Sequence, residues 1–221
     1  MSARSLPHRL WYQFLRWLIY SAGILAYRVR YFGRENIPKT GPVLVVSNHQ
    51  SHFDPPLVGA GVNRRMNYLA RETLFRFAPL GWLIHSLDAI PIDRDGMGLN
   101  GIKESLRRLK RGEMVLIFPE GTRTPNGEMA TFRPGFTVLA ARSKAWILPV
   151  AIEGAFDAWP RSRNLPRLGT IHVLYGQPIP PEEVAGCDER DLVAEVERRV
   201  RRCHAMLRKH AAFAGKNRAA K

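Results

Sequence analysis

From residue 38 onward, short apolar runs alternate with segments of helical character, and this alternation constrains the fold more than any other feature of the chain. "PVLVVS" (42–47), "MNYLA" (66–70), "DAIPI" (88–92), "MVLIF" (114–118) and "WILPVAI" (146–152) are brief and apolar, and polar or Pro/Gly-containing stretches bound them, so they read as strands, the first and fourth of them buried. "TIHVLYG" (170–176) alternates apolar and polar residues and reads as a strand nearer an edge. Between the strands, "DPPLVGAGV" (54–62), "LGWLIHSL" (80–87) and "PGFTVLAARS" (134–143) read as helices, the first with Asp54 as its N-cap and prolines in its first turn. Leu99, Ile102, Leu106 and Leu109 recur at three and four, which predicts an amphipathic helix over 98–110. Leu192, Val196, Val200, Cys203 and Leu207 form one stripe over 188–209, with Asp188, Glu189 and Asp191 at its start and Arg208 and Lys209 at its end, as the helix dipole favours. Past residue 207 the tail is basic and is expected to fray. Strands alternating with helices predict an α/β fold with a largely parallel central sheet flanked by helices.

With 221 residues, 45% of them hydrophobic, the chain suits one globular domain with a sizeable core. "ENIPKTGP" (35–42) marks a boundary, dividing an N-terminal helical segment (1–37) from the α/β body (38–209), which a basic tail (210–221) follows. A net charge of +15 calls for polyanionic partners: nucleic acid, an anionic membrane surface or phosphorylated substrates. The basic residues of the body are interleaved with the strands and not gathered on a recognition helix, which argues against nucleic acid. Cys187 and Cys203 have no spacing of a metal pair or a disulfide framework, so a reducing compartment is expected.

The N-terminal segment has no convincing secretory signal, since "WLIYSAGILAY" (17–27) lacks a small-residue cleavage site. That run is also shorter than the roughly 20 residues a spanning helix needs. Residues 10–27 instead have the composition of a helix lying in a membrane interface, the other reading being a core-packed helix. Trp11, Trp17, Leu18, Ile19, Ile24 and Leu25 are the expected apolar contacts, with Tyr12 and Tyr27 at headgroup level and Arg9, Arg16, Arg28 and Arg30 around them. The expectation is a monotopic protein on the cytoplasmic face, docked by this segment to an anionic membrane surface.

"NHQSHFD" (48–54) stands at the mouth of the first long strand, where sites in α/β sheets gather. Four readings are open. His49, His52 and Asp54 could ligate a metal, but one short cluster would have to supply nearly the whole set. Ser51 could be a nucleophile, but lacks the GxSxG elbow. The stretch could be a plain polar turn. Last, His49 could be a general base oriented by Asp54, provided that the segment is a loop leading into a helix at 54, because residues five apart diverge on a regular helix. The hydroxyl that loses its proton can then belong to a substrate.

Two more stretches fall at strand ends. "IPIDR" (90–94) delivers Arg94, and "FPEGTR" (118–123) presents Glu120, Thr122 and Arg123 around a Gly121 turn. Two guanidiniums beside a glycine turn make a phosphate cradle, and Glu120 suits a polyol hydroxyl. The alternative is a pair of solvated surface loops.

"NHQSHFD", "IPIDR", "FPEGTR" and "LPVAI" (148–152) resemble, in order and spacing, the four motifs of the glycerolipid acyltransferases, and within them the 1-acylglycerol-3-phosphate acyltransferases. The likeness runs from about 30 to 180. It implies transfer of an acyl chain from an acyl-CoA or acyl-carrier-protein thioester to the free hydroxyl of lysophosphatidate, with no metal or other cofactor. It implies His49 as base, Asp54 as its partner, and Arg94, Glu120, Gly121, Thr122 and Arg123 at the glycerol-phosphate. Pro149 would be structural or line the acyl site. Arg71 stands where many relatives carry Lys, which keeps charge but changes geometry, and Arg133 is an expected secondary contact. His52 matches no role in the pattern. Another acceptor, such as glycerol 3-phosphate or a lyso-amino-acid lipid, would need the same motifs.

Overall fold

The computed structural model describes residues 5–87, 89–92 and 98–219. Seven strands run as β1 (Arg30–Phe32), β2 (Val43–Ser47), β3 (Met66–Arg71), β4 (Ile90–Ile92), β5 (Met114–Ile117), β6 (Trp146–Glu153) and β7 (His172–Tyr175). Eight helices accompany them: α1 (Leu6–Tyr27), α2 (Asp54–Ala60), α3 (Ala78–Ser86), α4 (Leu99–Lys110), α5 (Thr137–Ser143), α6 (Ala155–Ala158), α7 (Pro181–Gly186) and α8 (Glu189–Ala219). The strands form one sheet in the order β1-β7-β6-β2-β5-β3-β4. Every pairing is parallel except that of β6 with β7.

The pleat of β2 shows why its apolar run is unbroken. Val43 and Val45 join the core on one face, with Leu57 and Val58 of α2, while Leu44 and Val46 join the core on the other, with Leu109 of α4, Leu139 of α5 and Val196 of α8. A strand covered on both faces has no solvent side on which to place a polar residue. Because β2, β3, β5 and β6 are mutually parallel, Ser47, Arg71, Ile117 and Glu153 all end strands at the same edge of the sheet.

Several local expectations need correction. Asp54 is the first residue of α2 and Phe53 occupies the cap position, so the Asp54 carboxylate serves the preceding loop and not the helix end. The three-residue strand β1, which the sequence did not signal, forms the edge beside β7, so β7 lies near an edge as its alternation predicts. The residues past Leu207 continue α8 to Ala219 instead of fraying at once. Ala, Lys and Arg in that stretch are good helix formers. Pro149 is buried inside β6, opposite Val46.

Helix α1 has two faces. Tyr12 and Leu15 are buried, the Met66 N–H donates to the Tyr12 hydroxyl at 2.9 Å, and Gly23 lets the helix approach Leu57 and Val29. Tyr27 packs on Phe53, and Arg16 donates to the carbonyls of Ala60 and Val62. Tyr12, Tyr27 and Arg16 therefore bind the helix to the body and do not serve a headgroup layer. Ile19 also packs against the core. Leu10, Phe14, Trp17, Leu18, Ile24 and Leu25 are exposed on the opposite face. Among the described residues, no helix is long and apolar enough to cross a membrane.

The sheet also buries His172, 3% exposed, with neither ring nitrogen hydrogen-bonded. Burial, and then the charges of His210 and Arg30, push its pKa below the ordinary histidine value. The folded state thus resists a proton that the unfolded chain accepts, so stability is full above about pH 6.5 and is lost as pH falls from there toward the folded value. His172→Leu is expected to raise unfolding stability by about 1–3 kcal/mol, the cost of an unsatisfied buried polar group. It should also flatten the loss between pH 7.5 and 5.5. Urea unfolding at the two pH values measures both, and an equal acid loss in wild type and variant would contradict the argument.

Candidate active site

The site is built where β2 and β5 end side by side. Asn48 prolongs the β2–β6 pairing with its side chain: its Nδ2 donates to the Ile152 carbonyl at 3.0 Å, and its Oδ1 accepts the Ile152 N–H at 2.8 Å. This fixes the chain just before His49. The His49 backbone is then clamped by the loop after β5, its N–H donating to Glu120 Oε1 at 2.7 Å and its carbonyl accepting the Thr124 N–H at 2.9 Å. Phe118 stacks on the imidazole at 3.9 Å with an interplanar angle of 14° and sets the ring plane.

Residues 48–53 form a loop that turns into α2, which brings His49 Nδ1 to 2.7 Å from Asp54 Oδ2. The same oxygen accepts the Gln50 and Ser51 N–H groups at 2.5 and 2.6 Å. An oxygen that already accepts two backbone donors makes Nδ1 the proton-bearing nitrogen, which leaves a lone pair on Nε2. Nε2 has no hydrogen bond among the described residues, and the side chain remains 18% exposed. A substrate hydroxyl can reach it.

The competing readings of this stretch fare differently. Ser51 is buried and donates to the Trp159 carbonyl at 2.7 Å, so it is not poised as a nucleophile. The His52 ring packs on Trp159 at 4.9 Å instead of converging with His49 and Asp54. Burial first, then the charges of Arg123 and His49, hold its pKa below the ordinary value. Among the described residues no group of three or more His, Cys, Asp or Glu side chains could hold a metal ion.

Glu120, expected at a substrate hydroxyl, is 3% exposed, and its two oxygens accept the N–H groups of His49 and Ala130, at 2.7 and 2.9 Å. Burial raises its pKa, and those two N–H groups oppose the rise. Gly121 follows at φ +75°, where a Cβ would come within 3.1 Å of the Arg133 guanidinium, so the turn requires glycine and draws Arg133 against it. Thr122 is exposed beside it.

Arg71 ends β3, and Arg123 follows β5. Arg123 is half-buried, with Nη1 buried and without a partner. Desolvation and then the like charge of Arg161 lower its pKa, with Asp54 opposing and Arg71 adding to the effect. It remains cationic all the same. Arg94 lies outside the described residues. The sequence reading passed over Arg161, which lies in no quoted motif. Its only signal was a run of arginines at 161, 163 and 167 beyond β6.

A groove of about 610 Å³ lies elsewhere, between the segment after β3, β4 and α4, and none of His49, Asp54 or Arg123 lines it.

The family model described as "Acyltransferase" matches residues 28–153. The 1-acyl-sn-glycerol-3-phosphate acyltransferase of Pseudomonas aeruginosa is 36% identical over 171 residues, which cover 75% of this chain and 64% of that protein. The chain thus spans a little less than two thirds of that relative. The lyso-ornithine lipid O-acyltransferase of the same organism is 29% identical over 202 residues, covering 84% of this chain and 75% of that one. The crystal structure of the 1-acyl-sn-glycerophosphate (LPA) acyltransferase PlsC from Thermotoga maritima superposes with a TM-score of 0.82 at 27% identity, covering 94% of this chain and 84% of that one. With the family match spanning more than half its length, the chain belongs to the acyltransferase family.

Proposed function

We propose that the protein transfers an acyl chain from an acyl-CoA or acyl-carrier-protein thioester to the free hydroxyl of 1-acylglycerol-3-phosphate, forming phosphatidate in phospholipid synthesis. The observation that carries this reading is the His49–Asp54 pair with a free Nε2, set beside arginines that have no carboxylate partner among the described residues. In the proposed step Nε2 takes the hydroxyl proton as the oxygen attacks the thioester carbonyl. The new C–O bond forms, the C–S bond breaks, and the imidazolium returns its proton to the leaving thiolate. No enzyme-bound acyl intermediate is needed. Asp54 holds the productive tautomer and balances the charge on the imidazolium.

The lyso-ornithine lipid relative supports a second reading, an acceptor without a phosphate. Arg71 and Arg123 favour the phosphate-bearing acceptor. Purified protein with a labelled acyl donor and a panel of lysophosphatidate, glycerol 3-phosphate and lyso-ornithine lipid tests the choice. Product from lyso-ornithine lipid alone would overturn the first reading.

We further propose monotopic docking to an anionic membrane on the cytoplasmic face, in keeping with Cys187 and Cys203 both being unpaired. The outer face of α1 carries Trp17, 61% exposed, with Leu18 and Ile24. Trp11 is only half-buried and donates from Nε1 to Ser86 Oγ at 3.0 Å, and its ring meets Trp82 at 5.7 Å. The apolar face therefore continues onto α3, where Trp82 is 65% exposed and Phe77 precedes it. Deleting α1 would uncover the core around Tyr12 and Leu15, so point changes are the sharper test. Trp17→Ser with Trp82→Ser is expected to weaken sedimentation with anionic vesicles by tenfold or more, at about 1.5–3 kcal/mol for each large side chain left unburied. High salt should weaken wild-type binding without abolishing it. Unchanged sedimentation of the double variant would remove this face from the reading.

A further inference from the structure

Several guanidiniums away from the site are paired: Arg64 donates to the carbonyls of Pro38, Gly41 and Gly112, Arg108 binds Glu104, and Arg199 and Arg201 bind Glu195 and Glu197. Others, such as Arg142 and Arg202, are unpaired among the described residues but lie exposed on helices. At the site, Arg71, Arg123 and Arg161 emerge after three parallel strands, β3, β5 and β6, at one edge of the sheet. None of the three has a hydrogen bond or ion pair among the described residues, and Arg123 Nη1 is both buried and unpartnered. Asp54 favours the Arg123 cation through its charge but makes no hydrogen bond to it among the described residues, its Oδ2 being occupied by the His49 loop. The charges of Arg71 and Arg161 both bear on Arg123. Like charges that bear on a half-buried guanidinium, with no ion pair among the described residues, are costly unless a ligand supplies an anion.

The loop that carries Arg161 is anchored to the catalytic loop. Ser51 Oγ donates to the Trp159 carbonyl at 2.7 Å, and the Trp159 ring packs on His52 and Phe53, each at 4.9 Å. Trp159 Nε1 donates to the Arg163 carbonyl at 3.0 Å, and the Arg167 N–H to the Ala158 carbonyl at 2.8 Å, which closes the loop on itself. Pro160, between the anchor and the arginine, is buried. Arg161 is thus an exposed guanidinium two residues from an anchored indole that touches the loop bearing His49.

We propose that Arg161 is the third guanidinium of a phosphate-binding cradle, closing on a substrate phosphate together with Arg71 and Arg123. A phosphate offers three acceptor oxygens to planar donor forks, a match that a single arginine cannot satisfy. The proposal deepens the acyl-transfer reading and rests on it for the identity of the substrate. The phosphate can come from the lysophosphatidate acceptor or from the acyl donor.

The test compares the full chain with Arg161→Gln and Arg161→Lys in two measurements. In the first, thermal stabilisation by inorganic pyrophosphate is titrated at constant ionic strength. Arg161→Gln should weaken the apparent affinity by about 10- to 100-fold, the range for losing a charge-assisted hydrogen bond, and Arg161→Lys by less. In the second, initial rates are measured with each substrate varied in turn. A raised KM for lysophosphatidate with little change in kcat assigns the acceptor's phosphate, and a raised KM for the thioester assigns the donor's. Unchanged pyrophosphate affinity with both KM values unchanged overturns the proposal. So does a fall in kcat alone, which would mean that the loop only positions His49. Pyrophosphate binding that depends on Arg161 in a protein with no acyl transfer would keep the cradle and sink the acyl-transfer reading.

Discussion

His49→Ala should lower kcat for acyl transfer by about 10²–10⁴-fold, the usual loss when a positioned general base is removed, while the protein stays folded. The fold should survive because Asn48 and the His49 backbone, not the imidazole, hold the loop to its neighbours: Asn48 pairs with Ile152, and the His49 N–H and carbonyl bind Glu120 and Thr124. The ring contributes the stacking on Phe118 and one bond to Asp54. Asp54→Asn separates the two roles of the carboxylate. Asparagine can still accept the Gln50 and Ser51 N–H groups through its oxygen, but it no longer carries the negative charge that steadies the imidazolium. Activity should fall steeply with a smaller effect on stability. Parallel measurement of initial rates and urea unfolding checks both variants. Wild-type activity in His49→Ala would end the assignment, whatever the unfolding data say.

The pair was legible in the sequence only conditionally. Residues 49 and 54 meet if a loop joins them and diverge if a helix does, and "DPP" made the loop reading natural because prolines sit well at a helix start. The buried strands were legible for a stronger reason. β2 and β5 are covered on both faces, so their apolar runs are continuous and short. The edge strand β1 lacks that signature, because Arg30 is exposed and Tyr31 and Phe32 are only half-buried. Helix α1 was ambiguous because it carries two apolar sets, one packed on the body and one exposed. Its inward side chains, Tyr12, Leu15 and Ile19, interleave with its outward ones, Phe14, Trp17 and Leu18, so composition alone cannot assign the faces. Arg161 was illegible for a topological reason. Its charge bears on Arg123 because β6 and β5 flank β2 in the sheet, and no local spacing encodes that arrangement.

Glu120 shows how a side chain's neighbours in sequence can mislead about its neighbours in space. Flanked by Gly121 and Arg123 in a turn, it looks like a substrate ligand, yet it is an internal brace joining the loop after β2 to residue 130. Both of its oxygens accept backbone N–H groups in a buried setting, and this makes the prediction specific. Glutamine has the same size but only one acceptor oxygen, so its amide would point a donor at a donor. Alanine would leave both N–H groups unsatisfied, at about 1–3 kcal/mol each. Glu120→Ala and Glu120→Gln are therefore both expected to destabilise the protein, by about 2–5 kcal/mol for alanine, which is a large part of a typical domain's stability. Glutamine should not rescue fully. Activity should fall through kcat, because the Glu120 carboxylate holds the backbone of His49, and the acceptor KM should change little. Urea unfolding alongside initial rates with varied lysophosphatidate distinguishes the brace from a substrate ligand. If Glu120→Gln unfolded like wild type and raised only the acceptor KM, the carboxylate would be reaching a substrate hydroxyl after all, and the His49 loop would owe its position to Asn48 and Thr124 alone.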